Sequence, residues 1–374
     1  MAIVEPARPA PAPGSSPALS PRARIAGAVA RPAAPEWLRG IHPATAIAAV
    51  VLLFMPLIAN DFWLFQIFSW SFILGIIALS LMFLAGYGGM VSLMQMTVAG
   101  VAGYACAMFG VSTSPGVNIG WPWWLAAPIG LAAATAFGTL AGALAVRTEG
   151  IYTIVITLAI AAAFFFFANE NYAIFNGHTG VNAIASPHLF GVDWRSPIPF
   201  YYLTLAVAAA CYFGVVYLSR SPFGLALQGV RDNPRRMHAL GFNVRAHRIA
   251  AYAFASFVAG LGGVLLVWQN TEIAPSTAGV DAAIDILIIA IVGGVTRPIG
   301  PFVGALVYAI LKAFALDFLV AVGLNGARFR MLIGLGFLAI VFFSPDGFIG
   351  LWNRLRERSR AVGGSPGGAS KHHG

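Results

Sequence analysis

Between residues 44 and 345 the chain returns, at short intervals, to apolar runs close to the length that an α-helix needs to cross a bilayer, about 20 residues. These runs fall at 44–59, 62–85, 88–110, 121–146, 151–168, 200–218, 249–269, 282–296, 300–320 and 327–345. The composition agrees: 59% of residues are apolar and 9% are charged, whereas a water-facing surface needs about a quarter charged. A soluble enzyme is excluded. The net charge of +9 is confined to a few loops and the two ends, which argues against nucleic-acid binding. The expected fold is therefore all-α: a polytopic bundle of about ten transmembrane or re-entrant helices, broken at Gly-rich motifs. The 282–296 run is short for a full crossing and is expected to be a broken or re-entrant element.

The basic residues orient the bundle. With ten spans, every lysine and arginine except Arg195, Arg328, Arg330 and Lys312 falls on one face, which the positive-inside rule makes cytoplasmic, together with both termini. Residues 1–43, rich in Ala, Pro and Arg, are expected to be a disordered tail, and 351–374 a basic, Gly-rich one. The span region, 44–350, is the working domain. Its inner face carries one substantial loop, 219–248; its outer face carries 169–199 and 270–281.

Much chemistry is absent from the sequence. A phosphate-binding loop needs Gly-Lys-Ser/Thr, and the two lysines follow Leu311 and Ser370. Gly260-Leu261-Gly262 and Gly334-Leu335-Gly336 lack the last glycine of a dinucleotide fingerprint and suit close helix packing. No spacing offers a metal site or a catalytic triad. Cys106 and Cys211 lie inside apolar runs and read as packing residues. Asp285, Lys312 and Asp317 are the charged residues within spans and away from the start of the 327–345 run; they fit either a proton relay or pairing between helices.

Three features remain. Gly86, Gly88 and Gly89 separate two apolar runs, and Gly293, Gly294, Gly300 and Pro301 do so late in the chain. Such breaks suit either a substrate path near mid-membrane or tight packing through small residues. The segment from Asn176 to Asn182 is rich in turn formers and is expected to be ordered at the outer mouth. In the inner loop, Asp232-Asn233-Pro234 has the form of a helix start, and Gly241 that of a helix stop. A short helix over about 234–240 would make the loop a structured knob with arginines on its surface, suited to a partner protein or to anionic lipid.

Five stretches resemble the LivM-type permeases of branched-chain amino-acid ABC importers. They are Gly86-Tyr87-Gly88-Gly89-Met90-Val91-Ser92-Leu93; Arg147-Thr148-Glu149-Gly150-Ile151-Tyr152 through Thr157-Leu158-Ala159; Ser221-Pro222-Phe223-Gly224 through Arg231-Asp232-Asn233 and Ala239-Leu240-Gly241; Ile291-Val292-Gly293-Gly294 through Gly300-Pro301 and Gly304; and Met331 through Phe343-Ser344-Pro345-Asp346-Gly347. Their order and spacing carry the likeness from about 70 to 350. Two departures stand out: Met94-Gln95 where the family commonly has Gly-His, which bears on the solute, and Arg235-Arg236-Met237 at the start of the coupling helix, which bears on the partner's surface.

The resemblance implies a bacterial inner-membrane subunit paired with a LivH-type permease, two ABC ATPase subunits and a soluble substrate-binding protein. The chain itself would hold no cofactor, because ATP and Mg would bind to the ATPases. Coupling would fall to Arg231, Asp232, Asn233, Ala239 and Gly241, and the substrate path to Gln95, Thr97, Thr157, Thr179 and Asn182. Two other readings stay open: a permease for urea or short amides, and an ion-coupled secondary carrier that acts alone.

Overall fold

The computed structural model describes residues 51–112, 118–189 and 192–321, with side chains except at 188–193 and 315–321. The expected tails, the 327–345 run and the first part of the 44–59 run, 44–50, lie outside these residues. Residues 51–58 form a unit of their own, a helical stretch closed by one 3₁₀ turn at Met55–Leu57.

The rest is helical. In chain order the helices of six residues or more are α1 (Trp63–Tyr87), α2 (Gln95–Phe109), α3 (Trp123–Ala145), α4 (Ile151–Glu170), α5 (Pro197–Arg220), α6 (Pro222–Asp232), α7 (Pro234–Ala239), α8 (Val244–Asn270), α9 (Val280–Gly293) and α10 (Gly300–Ala321). Among the described residues, α1, α3, α4, α5 and α8 are long and apolar enough to cross a membrane; α2 is a shorter apolar helix. The chain is thus a multi-pass, all-α membrane protein. The 88–110 run is not one span: its first seven residues are irregular, because the glycines end α1 and the ladder restarts only at Gln95. At 14 residues, α9 is shorter than a crossing needs, as the 282–296 run suggested.

Glycine decides how the bundle packs. α8 lies against α1, α2 and α3, and its Gly260, Gly262 and Gly263 each face a different one of them. A Cβ on Gly260 would stand 2.9 Å from Leu131 of α3, one on Gly262 2.6 Å from Ile77 of α1, and one on Gly263 would collide with the Ala99 carbonyl of α2. Close backbone approach gives dispersion contact where lipid offers no hydrophobic drive between helices. The Gly-Leu-Gly fragment is therefore a packing device. On the other side, α10 packs on α1 and α9, and Phe302 of α10 fills the place a side chain on Gly75 would need.

At the end opposite α6 and α7, two-residue strands order the loops. They are β1 (Val181–Asn182), β2 (His188–Leu189), β3 (Val192–Asp193) and β4 (Glu272–Ile273). β1 pairs antiparallel with β4, in the register Val181 to Ile273, and β2 pairs with β3. The segment after Phe175 is ordered as its turn residues suggest. Asn176, Gly177 and Gly180 adopt positive φ, and Asn176 Nδ2 donates to the Gly180 carbonyl at 2.8 Å.

Gly263→Ala is expected to cost about 1–3 kcal/mol by overpacking the α2–α8 contact. The cost should read as a lower midpoint in thermal unfolding of the detergent-solubilised protein. Gly214→Ala, where a Cβ would meet open space, should leave that midpoint unchanged or raise it.

Candidate functional site

The end of the bundle that carries α6 and α7 brings three separated pieces of sequence together. α1 closes in a wider, π-type turn over Phe83–Tyr87, a local unwinding common at functional sites. Gly88 and Met90 both donate their amides to the Leu84 carbonyl, and Gly89 turns the chain at φ +66°. This first break meets the second: a Cβ on Gly86 would sit 2.6 Å from the carbonyl oxygen of Val295, in the 294–299 link between α9 and α10. Within the second break, Gly293, Gly300 and Gly304 leave no room for side chains, since each faces backbone of the opposing helix or of the link. Gly294 has φ +100°, which favours glycine. Pro301 is buried in the first turn of α10.

The third piece is the knob. Ser221 caps α6, its Oγ accepting from the Gly224 amide at 3.2 Å, with Pro222 at the first helical position. Asn233 caps α7 in the same way, accepting from the Arg236 amide at 2.9 Å, and Pro234 follows. α7 ends in a Schellman motif: Phe242 donates to the Met237 carbonyl at 3.1 Å, Gly241 to the His238 carbonyl at 3.0 Å, and Gly241 takes φ +89°. Asn243 then caps α8 through the Ala246 amide. The short helix expected over 234–240 is present, with Leu240 as its last, capping residue.

The knob has two sides. Ala226, Leu227 and Val230 are buried, while Leu225, Leu240 and Phe242 are 60%, 67% and 39% exposed, beside exposed Arg235, Arg236 and Ala239. His247 stacks parallel to Phe223 at 5.7 Å and meets Phe242 edge-on, which fixes the knob to the start of α8. Arg248 reaches back to Glu149 in the turn after α3, at 3.3 Å.

Above the break lies a polar seam. Gln95 is 1% exposed and sits between two serines: Ser80 donates to its Oε1 at 3.0 Å, and its Nε2 points to Ser92 at 3.5 Å. Thr157 of α4, also buried, accepts the free amide of Leu93 at 3.1 Å. Thr97 donates to the Ala278 carbonyl at 3.0 Å, and Gly100 gives way to the Ala278 methyl group. α2 thus joins the inner break to the 3₁₀ turn Pro275–Ala278, which follows β4. Gln95 opens α2, Thr157 bonds Leu93 just before it, and Thr97 follows two residues further on; Thr179 and Asn182 lie apart, exposed in the opposite-face loops. Lys312 lies over the ring of Trp70, a cation–π contact that ties α10 to α1. Among the described residues, no group of three or more potential ligands could hold a metal ion.

The family model for the permease component of the branched-chain amino acid transport system matches residues 63–341, which include both breaks and the knob. The chain belongs to that family. Among its relatives is the high-affinity branched-chain amino acid transport system permease protein LivM of Escherichia coli, 22% identical over 73% of this chain and 65% of the relative. A probable LivM permease of Methanocaldococcus jannaschii is 26% identical over 51% of this chain and 58% of its own length. A probable LivH permease from the same organism is 27% identical over 37% and 45%. The chain thus spans between 45% and 65% of the length of these curated relatives. No solved structure matches it.

Within this permease family's frame, the sequence reading located both breaks and the α7 caps but missed α6. Its signal was present: Ser221-Pro222 repeats the grammar of Asn233-Pro234. Ser80, Val295 and Ala278, which complete the breaks and the seam, carry no local pattern, because each acts through a partner distant in sequence.

Gly241→Val should strain the α7 stop by about 1–2 kcal/mol, since its left-handed backbone excludes a β-branched residue. Limited trypsin digestion in detergent should then cut faster at Arg235 and Arg236, with the spanning helices still protected.

Proposed function

We propose that this chain is a membrane-spanning permease subunit of an ABC importer for branched-chain amino acids. ATP hydrolysis would be supplied by separate ATPase subunits, which bind the ATP and Mg. Family membership supports the transport reading. The observation that carries the coupling is the knob: a capped, folded projection that presents Leu240, Leu225 and Phe242 among exposed arginines, on a chain with no phosphate-binding loop. Exposed apolar anchors ringed by charge suit a protein partner better than a lipid surface alone.

In this reading the basic face, with both termini, is cytoplasmic in a bacterial inner membrane. A homologous LivH-type permease completes the path, and a soluble binding protein delivers solute to the opposite face, where Thr179 and Asn182 are exposed. Asp232 and Asn233 shape the junction between α6 and α7, while Ala239 and Gly241 end the docking helix. Gln95, Thr97 and Thr157 hold internal partners in this conformation. As the breaks move they exchange those partners for solute, so that polar groups stay satisfied throughout.

The test is purification of the tagged protein from its host membrane in mild detergent, followed by reconstitution with whatever accompanies it. Co-purification of a P-loop ATPase and a second permease, with ATP-dependent uptake of leucine, isoleucine or valine, is the expected result. Uptake of urea or a short amide instead would keep the architecture and replace the solute. A lone chain that moves solute in liposomes without ATP would overturn the importer reading.

A further inference from the structure

Arg231 is the last residue but one of α6, yet it does not share the outward orientation of Arg235 and Arg236. Its Nη1 donates to the carbonyl oxygen of Gly86, 145 positions away, and its Nε is held by Asp232 Oδ1 at 2.9 Å. The aliphatic stem lies across Gly89, where a Cβ would stand 2.6 Å from the arginine Cγ. Buried Leu227, one turn earlier on α6, comes next to Gly88, 3.9 Å from where a Cβ would be.

From these contacts we infer that Arg231 is a positioning residue: a pin that fastens the knob to the inner helix break and sets how α1 ends. The physical reasons are specific. The last carbonyls of a helix have no intrahelical partner, and a cation at that end is also favoured by the helix dipole. A guanidinium can satisfy the Gly86 carbonyl while a second nitrogen stays on Asp232; an ammonium offers one compact centre and a shorter reach. Gly86 also faces the Val295 carbonyl, so one side chain from the knob touches the element where both breaks meet. Gly89 is required in part to admit this arginine. Docking then belongs to α7 and the exposed apolar residues, and transmission into the bundle belongs to Arg231.

The transport consequence rests on the importer reading; the pin itself does not. Two measurements separate them. In the purified protein, hydrogen exchange is followed on the peptide covering 84–95, which holds the Gly88 and Met90 amides bonded to Leu84 and the Leu93 amide bonded to Thr157. Arg231→Ala is expected to speed this exchange about tenfold, the factor that loss of a charge-assisted hydrogen bond carries. Peptides from the middle of α8 should be unchanged. Arg231→Lys should fall between, and Asp232→Asn should give a smaller effect of the same sign.

In the reconstituted complex, Arg231→Ala should keep ATP hydrolysis while solute moved per ATP falls about tenfold, an uncoupling that loss of folding or assembly would not produce. Unchanged exchange in both Arg231→Lys and Asp232→Asn would overturn the pin, even if Arg231→Ala fails to accumulate. Altered exchange with an unchanged ratio of solute to ATP would overturn its role in transmission. If the wild-type complex shows no ATP-driven uptake, the importer reading falls and the exchange result still judges the pin.

Discussion

Every backbone amide and carbonyl at membrane depth must find a partner within the protein, because lipid offers none. Helices meet this demand automatically except where they stop, and this chain stops two of them inside the bundle. What surrounds each stop follows from that demand. Thr157 reaches across from α4 to take the Leu93 amide, the Leu84 carbonyl takes two amides at once, and an arginine from outside the bundle takes Gly86. Charged side chains are rare in this sequence, and uncharged ones, Ser80, Ser92, Gln95 and Thr157, work at the margin of the first break.

The same demand explains the glycines. A broken helix can be tolerated only if its neighbours come close enough to cover the exposed backbone. Closeness here means carbonyl against Cα, at Gly86 with Val295 and at Gly293 with Gly300 and Gly304. Glycine loses little to lipid and permits that approach, so it both makes the break and allows it to be sealed. The α8 glycines use the same closeness without a break, simply to bring three helices onto one. Composition alone could not separate these two uses. The distinction appears only with the partner: Ile77, Leu131 or Ala99, each in the interior of an unbroken helix, in one case, and the backbone at the breaks themselves in the other.

Legibility in the sequence followed the range of the interactions. Membrane class, helix positions and the α7 caps were readable because apolar length and capping grammar are local properties. Asn233, Pro234 and Gly241 announced their helix, and the structure shows all three in those roles. α6 was legible in principle from Ser221-Pro222 and from the helical spacing of Phe223, Ala226, Leu227 and Val230; what that stripe packs against, the first break, was not. Gln95, Thr97 and Thr157 could be marked as polar in apolar surroundings, whereas their partners Ser80, Ala278 and Leu93 could not be named. A hydrogen bond between residues 64 or 181 positions apart leaves no trace in a single sequence. Arg231 was singled out for the surface of the knob; its inward turn is a fact of tertiary packing.

The shortness of α2 has a consequence for the barrier itself. Fifteen residues of helix rise about 22 Å, against roughly 30 Å of hydrocarbon. Beyond one end of this buried helix lies a polar break, and beside it the Pro275–Ala278 turn. Along α2, polar groups of the protein therefore stand closer together than the two faces of the hydrocarbon layer do, so the subunit carries partners for a polar molecule at depths where lipid offers none.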